Sequence, residues 1–226
     1  MLIEISISNF CRLLMCIKKS LARLFYQFLV LFLRLKLFIF RKLYISLFKE
    51  YGKNSQIISP LSLDGKENII IGNLVYVGYK TWLAALPLTG EKECRLELQD
   101  GVTIGHFNHI YATKKIVLEK NVLTADKVYI SDNLHGYSDI HTSIKNQPII
   151  QHGEVIIGEG SWLGENVCVL GSKIGKQCVI GANSVVTKDI PDYCVAVGAP
   201  ARVIKRYDFE SQSWLKTDSE GNFINS

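Results

Sequence analysis

From residue 51 onward, aliphatic residues recur at every sixth position, and a small residue directly follows many of them. The longest series is Ile157-Gly158, Leu163-Gly164 and, after one irregular step, Ile174-Gly175, Ile180-Gly181 and Val186-Thr187. Ile71-Gly72, Val77-Gly78 and Leu83-Ala84 form a second series, Leu98, Ile104-Gly105, Ile110 and Ile116 a third, and shorter ones run through Leu118, Thr124, Ile130 and through Val155, Ile157. A period of six is not the helical 3.6. It is a multiple of two, so every marked aliphatic can point to the same side of an extended strand. If the chain turns after each short strand and three units close one coil of roughly 18 residues, successive coils stack their aliphatics into internal ladders about 4.8 Å apart. The pattern therefore predicts an all-β fold, a parallel β-helix with three flat faces, over residues 51–207. A polar tail is expected over 208–226.

The phase breaks twice. Ala84 to Cys94, with Pro87, Gly90 and several charges, reads as a loop leaving the coil. The segment from Ser131 to Pro148 concentrates polar groups and regains the phase only near Val155. Loops carried on a rigid scaffold are where binding and catalysis concentrate.

Residues 1–50 follow neither pattern. Nine Lys or Arg (12, 18, 19, 23, 34, 36, 41, 42 and 49) stand against Glu4 and Glu50, so this segment carries +7 of a chain whose net charge is +5. The uncharged run Leu24–Leu33 is half the roughly 20 residues a membrane span needs. Phe25, Phe28, Leu29, Phe32, Leu33, Leu35, Phe38 and Ile39 on this basic background predict a helix. Such a helix either lies on an anionic membrane surface, through residues 12–49, or covers the open end of the solenoid. The basic residues stand in an apolar segment without a nucleic-acid-binding motif, which argues against a nucleic-acid partner. Composition, at 48% hydrophobic with 17 Gly and 5 Pro in 226 residues, suits one compact domain with an appendage. The six cysteines form no C-x-x-C pair and no cleavable secretory signal precedes them; thiols packed as small hydrophobes in the reduced cytoplasm are expected.

Four segments carry a resemblance: Ser131-Asp-Asn-Leu-His-Gly-Tyr137, Ser161-Trp-Leu-Gly-Glu-Asn-Val167, Ile180-Gly-Ala-Asn-Ser-Val-Val-Thr-Lys-Asp-Ile-Pro191 and Val197-Gly-Ala-Pro-Ala-Arg-Val-Ile204. In order and spacing, this set resembles the hexapeptide-repeat acyltransferases, in particular the O-acetyltransferase branch associated with bacterial polysaccharide biosynthesis. The resemblance implies a left-handed coil, where parallel crossovers are otherwise right-handed. It also implies a homotrimer with its sites between subunits, acetyl-CoA as cosubstrate without a metal, and a glycan acceptor. His135 matches the family's general base, and Asp132, Asp139 or a backbone carbonyl of the same loop are candidates to orient its ring. Trp162, Gly164 and Ala182 match positions along the pantetheine arm, and Thr187, Lys188, Arg202 and Lys205 positions near the nucleotide and its phosphates. The Trp162–Gly164 corner is the expected source of an N–H for the oxyanion. Asn108 matches a hydroxyl-binding position for the acceptor.

The sequence departs from the family pattern in two places: Leu163 to Ile174 spans eleven residues rather than twelve, and Asn133 stands where many relatives have a second His. Two other readings compete. Solenoids of this shape also house zinc-dependent carbonic anhydrases, and His106, His109, His135, His141 and His152 offer imidazoles for such a site. A noncatalytic scaffold is the other.

Overall fold

The structure, a computed structural model, describes residues 2–218 and 221–224. The chain divides into two compact units, residues 1–45 and 46–226. The first is a single α-helix, Leu2–Tyr44. Neither Gly nor Pro occurs before Gly52, and Leu, Lys and Arg lose little rotamer freedom in a helix, so nothing interrupts its backbone hydrogen bonds. A 3₁₀ turn at Ile45–Leu47 ends it, before the first strand at Glu50–Tyr51.

The second unit is a parallel β-helix. Face I stacks Glu50–Tyr51, Ile69–Ile71, Arg95–Leu98, Lys115–Leu118, Val155–Ile157 and Lys173–Ile174. Face II stacks Gln56–Ile57, Tyr76–Val77, Thr103–Ile104, Leu123–Thr124, Trp162–Leu163, Val179–Ile180 and Cys194–Val197. Face III stacks Ser62–Asp64, Trp82–Ala85, His109–Ala112, Tyr129–Ser131, Cys168–Leu170 and Val185–Val186. The residues marked by the six-residue period are those whose side chains fill the interior. Val77, Ile104, Leu163 and Ile180 line it from face II, and Leu83, Ile110, Ile130, Val169 and Val186 from face III, all fully buried. Register sets the coil length: Ile104 pairs with Thr124 twenty residues on, and Leu163 with Ile180 seventeen on. The eleven-residue step at Gly171-Ser172 is therefore absorbed by shortening one corner.

The small residues after the aliphatics answer to the next coil. A Cβ on Gly105 would lie 2.4 Å from the Ala125 carbonyl oxygen, and one on Gly164 2.7 Å from the Ala182 nitrogen. The interior also holds thiols. Burial pushes Cys94 up to about 12 and Cys178 to about 11, so both stay protonated and pack as small hydrophobes.

Both phase breaks are excursions from the corner where face III gives way to face I. The first, 86–94, is short. The second leaves as Asn133–His135 and returns as Ile149–Gln151, and the two pair antiparallel. The C-terminal segment differs from the expected polar tail. Arg202–Asp208 adds antiparallel to Cys194–Val197 and Ser213–Lys216 adds to it in turn, extending face II across an edge that would otherwise be unpaired.

Candidate active site

Asp132 is the last residue before the long excursion. Its side chain is fully buried, and its carboxylate accepts from Thr113 N–H (2.8 Å), Thr113 Oγ1 (2.9 Å), Lys114 N–H (2.8 Å), Lys115 N–H (2.8 Å) and Asn133 Nδ2 (3.0 Å). A carboxylate offers about four lone-pair sites. All are committed, so Asp132 does not orient His135; it closes the corner of the neighbouring coil. Its carbonyl accepts from Gln151 Nε2 (2.6 Å) and from the N–H of His152 and Gly153 (2.9 and 3.2 Å), which ties the returning end of the excursion to its start. Gln151 also accepts from Thr89 and Thr113 hydroxyls at 3.0 Å, linking both excursions. Nothing in the six-residue pattern marked it.

Asp139 does not reach His135 either. Its oxygens accept from Thr142 Oγ1 (2.6 Å) and His141 N–H (2.8 Å), bonds that hold its carboxyl below the usual range, the Thr142 bond most. His135 itself ends the outgoing strand opposite Ile149, with an exposed ring that forms no hydrogen bond among the described residues. A backbone carbonyl of the loop is thus not its partner in the single chain.

Asn108 is corrected as an acceptor-binding residue. It is 1% exposed, donates to the carbonyls of His106 (3.2 Å) and Ala125 (2.9 Å), and accepts from Thr124 Oγ1 (3.1 Å). Every polar atom is spent inside the coil. We expect Asn108→Ala to cost about 1–3 kcal/mol of stability in chemical denaturation, from stranded partners, and to leave the acceptor KM unchanged.

Trp162 projects from face II, 46% exposed, in register with Leu123 and Val179. Gly164 and Ala182 lie at the next corner, between faces II and III. Here the backbone donors matter. At most corners the N–H one past the glycine meets an acceptor side chain from an adjacent coil. Lys53 donates to Asn73 Oδ1 (2.8 Å), Asn73 to Asp100 Oδ1 (2.6 Å), Tyr79 to His106 Nδ1 (2.9 Å), His106 to Asp126 Oδ1 (2.7 Å), Glu159 to Glu119 Oε2 (3.1 Å) and Lys176 to Asp192 Oδ1 (2.9 Å). After Gly164 and Gly181 the rule lapses. The position aligned with Glu165 is Ala182 and that aligned with Ala182 is Gly198, neither with an acceptor side chain. Among the described residues the N–H groups of Glu165 and Ala182 have no acceptor. The Glu165 carboxylate turns away to Lys127 Nζ at 2.8 Å.

The N–H of Gly164 is bonded to Ile180 O and that of Trp162 to Cys178 O, both at 2.8 Å, so the corner's available donor is one residue further on. The signal stood in the sequence: His106, Asp126 and Glu165 at one aligned position after another, then Ala182 and Gly198.

Arg202 and Lys205 stand exposed on the strand that extends face II, with Arg202 Nη1 on the Ala201 carbonyl at 2.9 Å. Thr187 and Lys188 are exposed at the corner after face III, the corner from which His135 departs two coils away. One chain therefore brings Trp162, Gly164, Ala182, Arg202 and Lys205 to face II and its corner with face III, and His135, Thr187 and Lys188 to the corner beyond face III. The five histidines do not converge. His106 Nδ1 accepts from Tyr79 N–H, and His109 stacks on Trp82 at 4.2 Å, where burial lowers its pKa. Among the described residues no three His, Cys, Asp or Glu side chains are grouped to hold a metal ion.

The fold is a three-faced parallel solenoid, and comparison with known proteins agrees with it. Residues 154–188 match the family model described as the hexapeptide repeat of succinyl-transferase. WbbJ of Escherichia coli, named for O-acetyl transfer in lipopolysaccharide biosynthesis, is 40% identical over 124 residues, 52% of this chain and 63% of that protein. Rv3034c of Mycobacterium tuberculosis, named as an acetyltransferase, is 42% identical over 136 residues, 60% of this chain and 43% of that protein. The match thus spans less than two thirds of either relative. Among solved structures, AntD, an N-acyltransferase from Bacillus cereus in complex with dTDP and 3-hydroxybutyryl-CoA, superimposes with a TM-score of 0.62 at 19% identity, covering 75% of this chain and 89% of that one. Residues 154–188 carry the hexapeptide repeat, and the fold is the left-handed parallel β-helix of these acyltransferase structures.

Proposed function

We propose that the protein is an acetyltransferase that moves the acetyl group of acetyl-CoA to a sugar hydroxyl in surface polysaccharide biosynthesis. The hydroxyl oxygen attacks the thioester carbonyl carbon while His135 takes its proton. The carbonyl oxygen becomes an oxyanion, which accepts from the Glu165 N–H. Collapse breaks the C–S bond, and the proton on His135 passes to the departing thiolate, leaving ester and free coenzyme A. Trp162, Gly164 and Ala182 would line the pantetheine arm, with the Ala182 N–H donating to an amide carbonyl of that arm. Thr187, Lys188, Arg202 and Lys205 would meet the nucleotide and its phosphates.

Two half-sites on either side of face III support a homotrimer, in which the His135 edge of one chain meets the Gly164–Ala182 edge of the next. The second chain would also supply the acceptor that the His135 ring lacks within its own. Use of acetyl-CoA fits a cytoplasmic reaction.

The observation that carries this reading is the lapse of corner capping at Glu165 and Ala182. Preorganised N–H groups are worth most where negative charge develops, and loss of one such donor costs about 10²–10³ in kcat. Ala182→Asp restores the capping pattern, placing a carboxylate where Asp126 and Asp192 stand in other coils. Its expected outcome is a 10²–10³-fold fall in thiol release from acetyl-CoA in the presence of a glycan acceptor, with an unchanged thermal midpoint. Ala182→Ser, a weaker acceptor, should fall in between. Wild-type turnover in the Asp variant would reject the assignment.

A further inference from the structure

We propose that the helix Leu2–Tyr44 is a surface anchor lying in the headgroup region of an anionic lipid bilayer. The argument is independent of the transferase reading, since it uses no residue of the solenoid.

No acidic residue follows Glu4 in this helix. Lys19, Arg23, Gln27 and Arg34, separated by 4, 4 and 7 positions, fall on one stripe of an α-helix. Leu21, Leu24, Phe28, Phe32, Leu35 and Ile39 occupy the other side, all exposed; Phe28 is 66% and Phe32 55% accessible. Phe25, Leu29 and Leu33 widen the apolar arc further, and Lys18 and Lys36 rise between Phe25 and Leu29 within that widened part, where their methylene stems can lie on apolar surface while the ammonium reaches water.

Two geometries are open to so apolar a helix at a bilayer. No helix among the described residues is long and apolar enough to cross a membrane. At 1.5 Å per residue its 43 residues run about 65 Å, twice the roughly 30 Å hydrocarbon core, and Lys18, Lys19, Arg23, Arg34 and Lys36 are scattered along it. Lying flat satisfies both facts: the apolar arc enters the acyl boundary and the basic stripe stays among headgroups. A neighbouring helix would cover one stripe of that arc and leave the rest wet, and a second copy would bring like charge against like. An anionic surface takes the whole arc and is attracted by the charge, with each basic residue near it worth roughly a fivefold gain in partition.

Full-length protein should float with vesicles of phosphatidylethanolamine and phosphatidylglycerol, at least tenfold less with phosphatidylcholine alone, and should be released by half-molar salt. The triple charge reversal Lys19→Glu, Arg23→Glu, Arg34→Glu should lower partition on the order of a hundredfold. Phe25→Ser with Phe28→Ser and Phe32→Ser should also release it. Two results overturn the proposal: wild-type protein that stays unbound with anionic vesicles, or a charge-reversed chain that floats as wild type does. A helix that serves self-assembly or covers the solenoid instead would show as the first of these, with an oligomeric state or thermal midpoint that changes in the Phe variant. Acetyl transfer to a soluble acceptor, unchanged in the charge-reversed chain, keeps this test separate from that of the transferase.

Discussion

His135→Ala is expected to lower turnover 10²- to 10⁴-fold and to leave the protein as stable as wild type. The first half follows from the chemistry. An alcohol is a poor nucleophile until its proton is taken, and a positioned base contributes about that range. The second half follows from the geometry. The His135 ring is exposed and forms no hydrogen bond among the described residues, while its backbone stays paired with Ile149 whatever the side chain. Surface truncations of that kind change stability by no more than about 0.5 kcal/mol. His135→Gln should be as inactive as Ala, because an amide can donate and accept but cannot carry the proton. If catalysis ran only on proximity and the Glu165 donor, the Ala variant would retain most of its rate, and the base assignment would fail. Thiol release measured beside a denaturation curve decides between these outcomes.

The solenoid was readable from residue spacing because each coil repeats one demand: an inward aliphatic, then a residue small enough for the next coil's backbone to pass. Ile104-Gly105 and Leu163-Gly164 state that demand in two letters. Places where the repeat fails were readable for the same reason, and both phase breaks are excursions. Polar residues inside the coil were not. Asn108 stands at a corner that looks like any exposed loop, and only the register, which brings Thr124 and the Ala125 carbonyl against it, shows that it points inward. The C-terminal strands escaped because an edge strand with one wet face, as at Arg202–Asp208, reads as polar chain. The donors at Glu165 and Ala182 lay between these cases. Their composition was visible, but their meaning required knowing which residues of successive coils are aligned, and coils of 20 and 17 residues hide that alignment from a fixed period.

Removal of Asp132 should cost more stability than Asn108→Ala or His135→Ala. Asp132→Ala strands three backbone N–H groups, those of Thr113, Lys114 and Lys115, in a corner closed to water on the Asp132 side, with the Thr113 hydroxyl and the Asn133 amide losing an acceptor as well. Leaving buried donors unmet costs about 1–3 kcal/mol each, and breaking a buried charged cluster about 3–5 in all, so a loss of about 3–5 kcal/mol is expected in urea unfolding. As carboxylate charge assists these bonds, Asp132→Asn should lose less while still losing something, because its NH₂ faces donors where an acceptor is needed. Activity should fall with both, through a different route from that of His135→Ala. The strand that carries His135 starts at the next residue, and Gln151, His152 and Gly153 return to the Asp132 carbonyl. Loosening that anchor moves the imidazole without changing it. Activity per folded molecule should therefore recover partly as temperature is lowered in Asp132→Asn, and not at all in His135→Ala. Equal temperature dependence in the two variants would mean that Asp132 holds the coil and not the histidine.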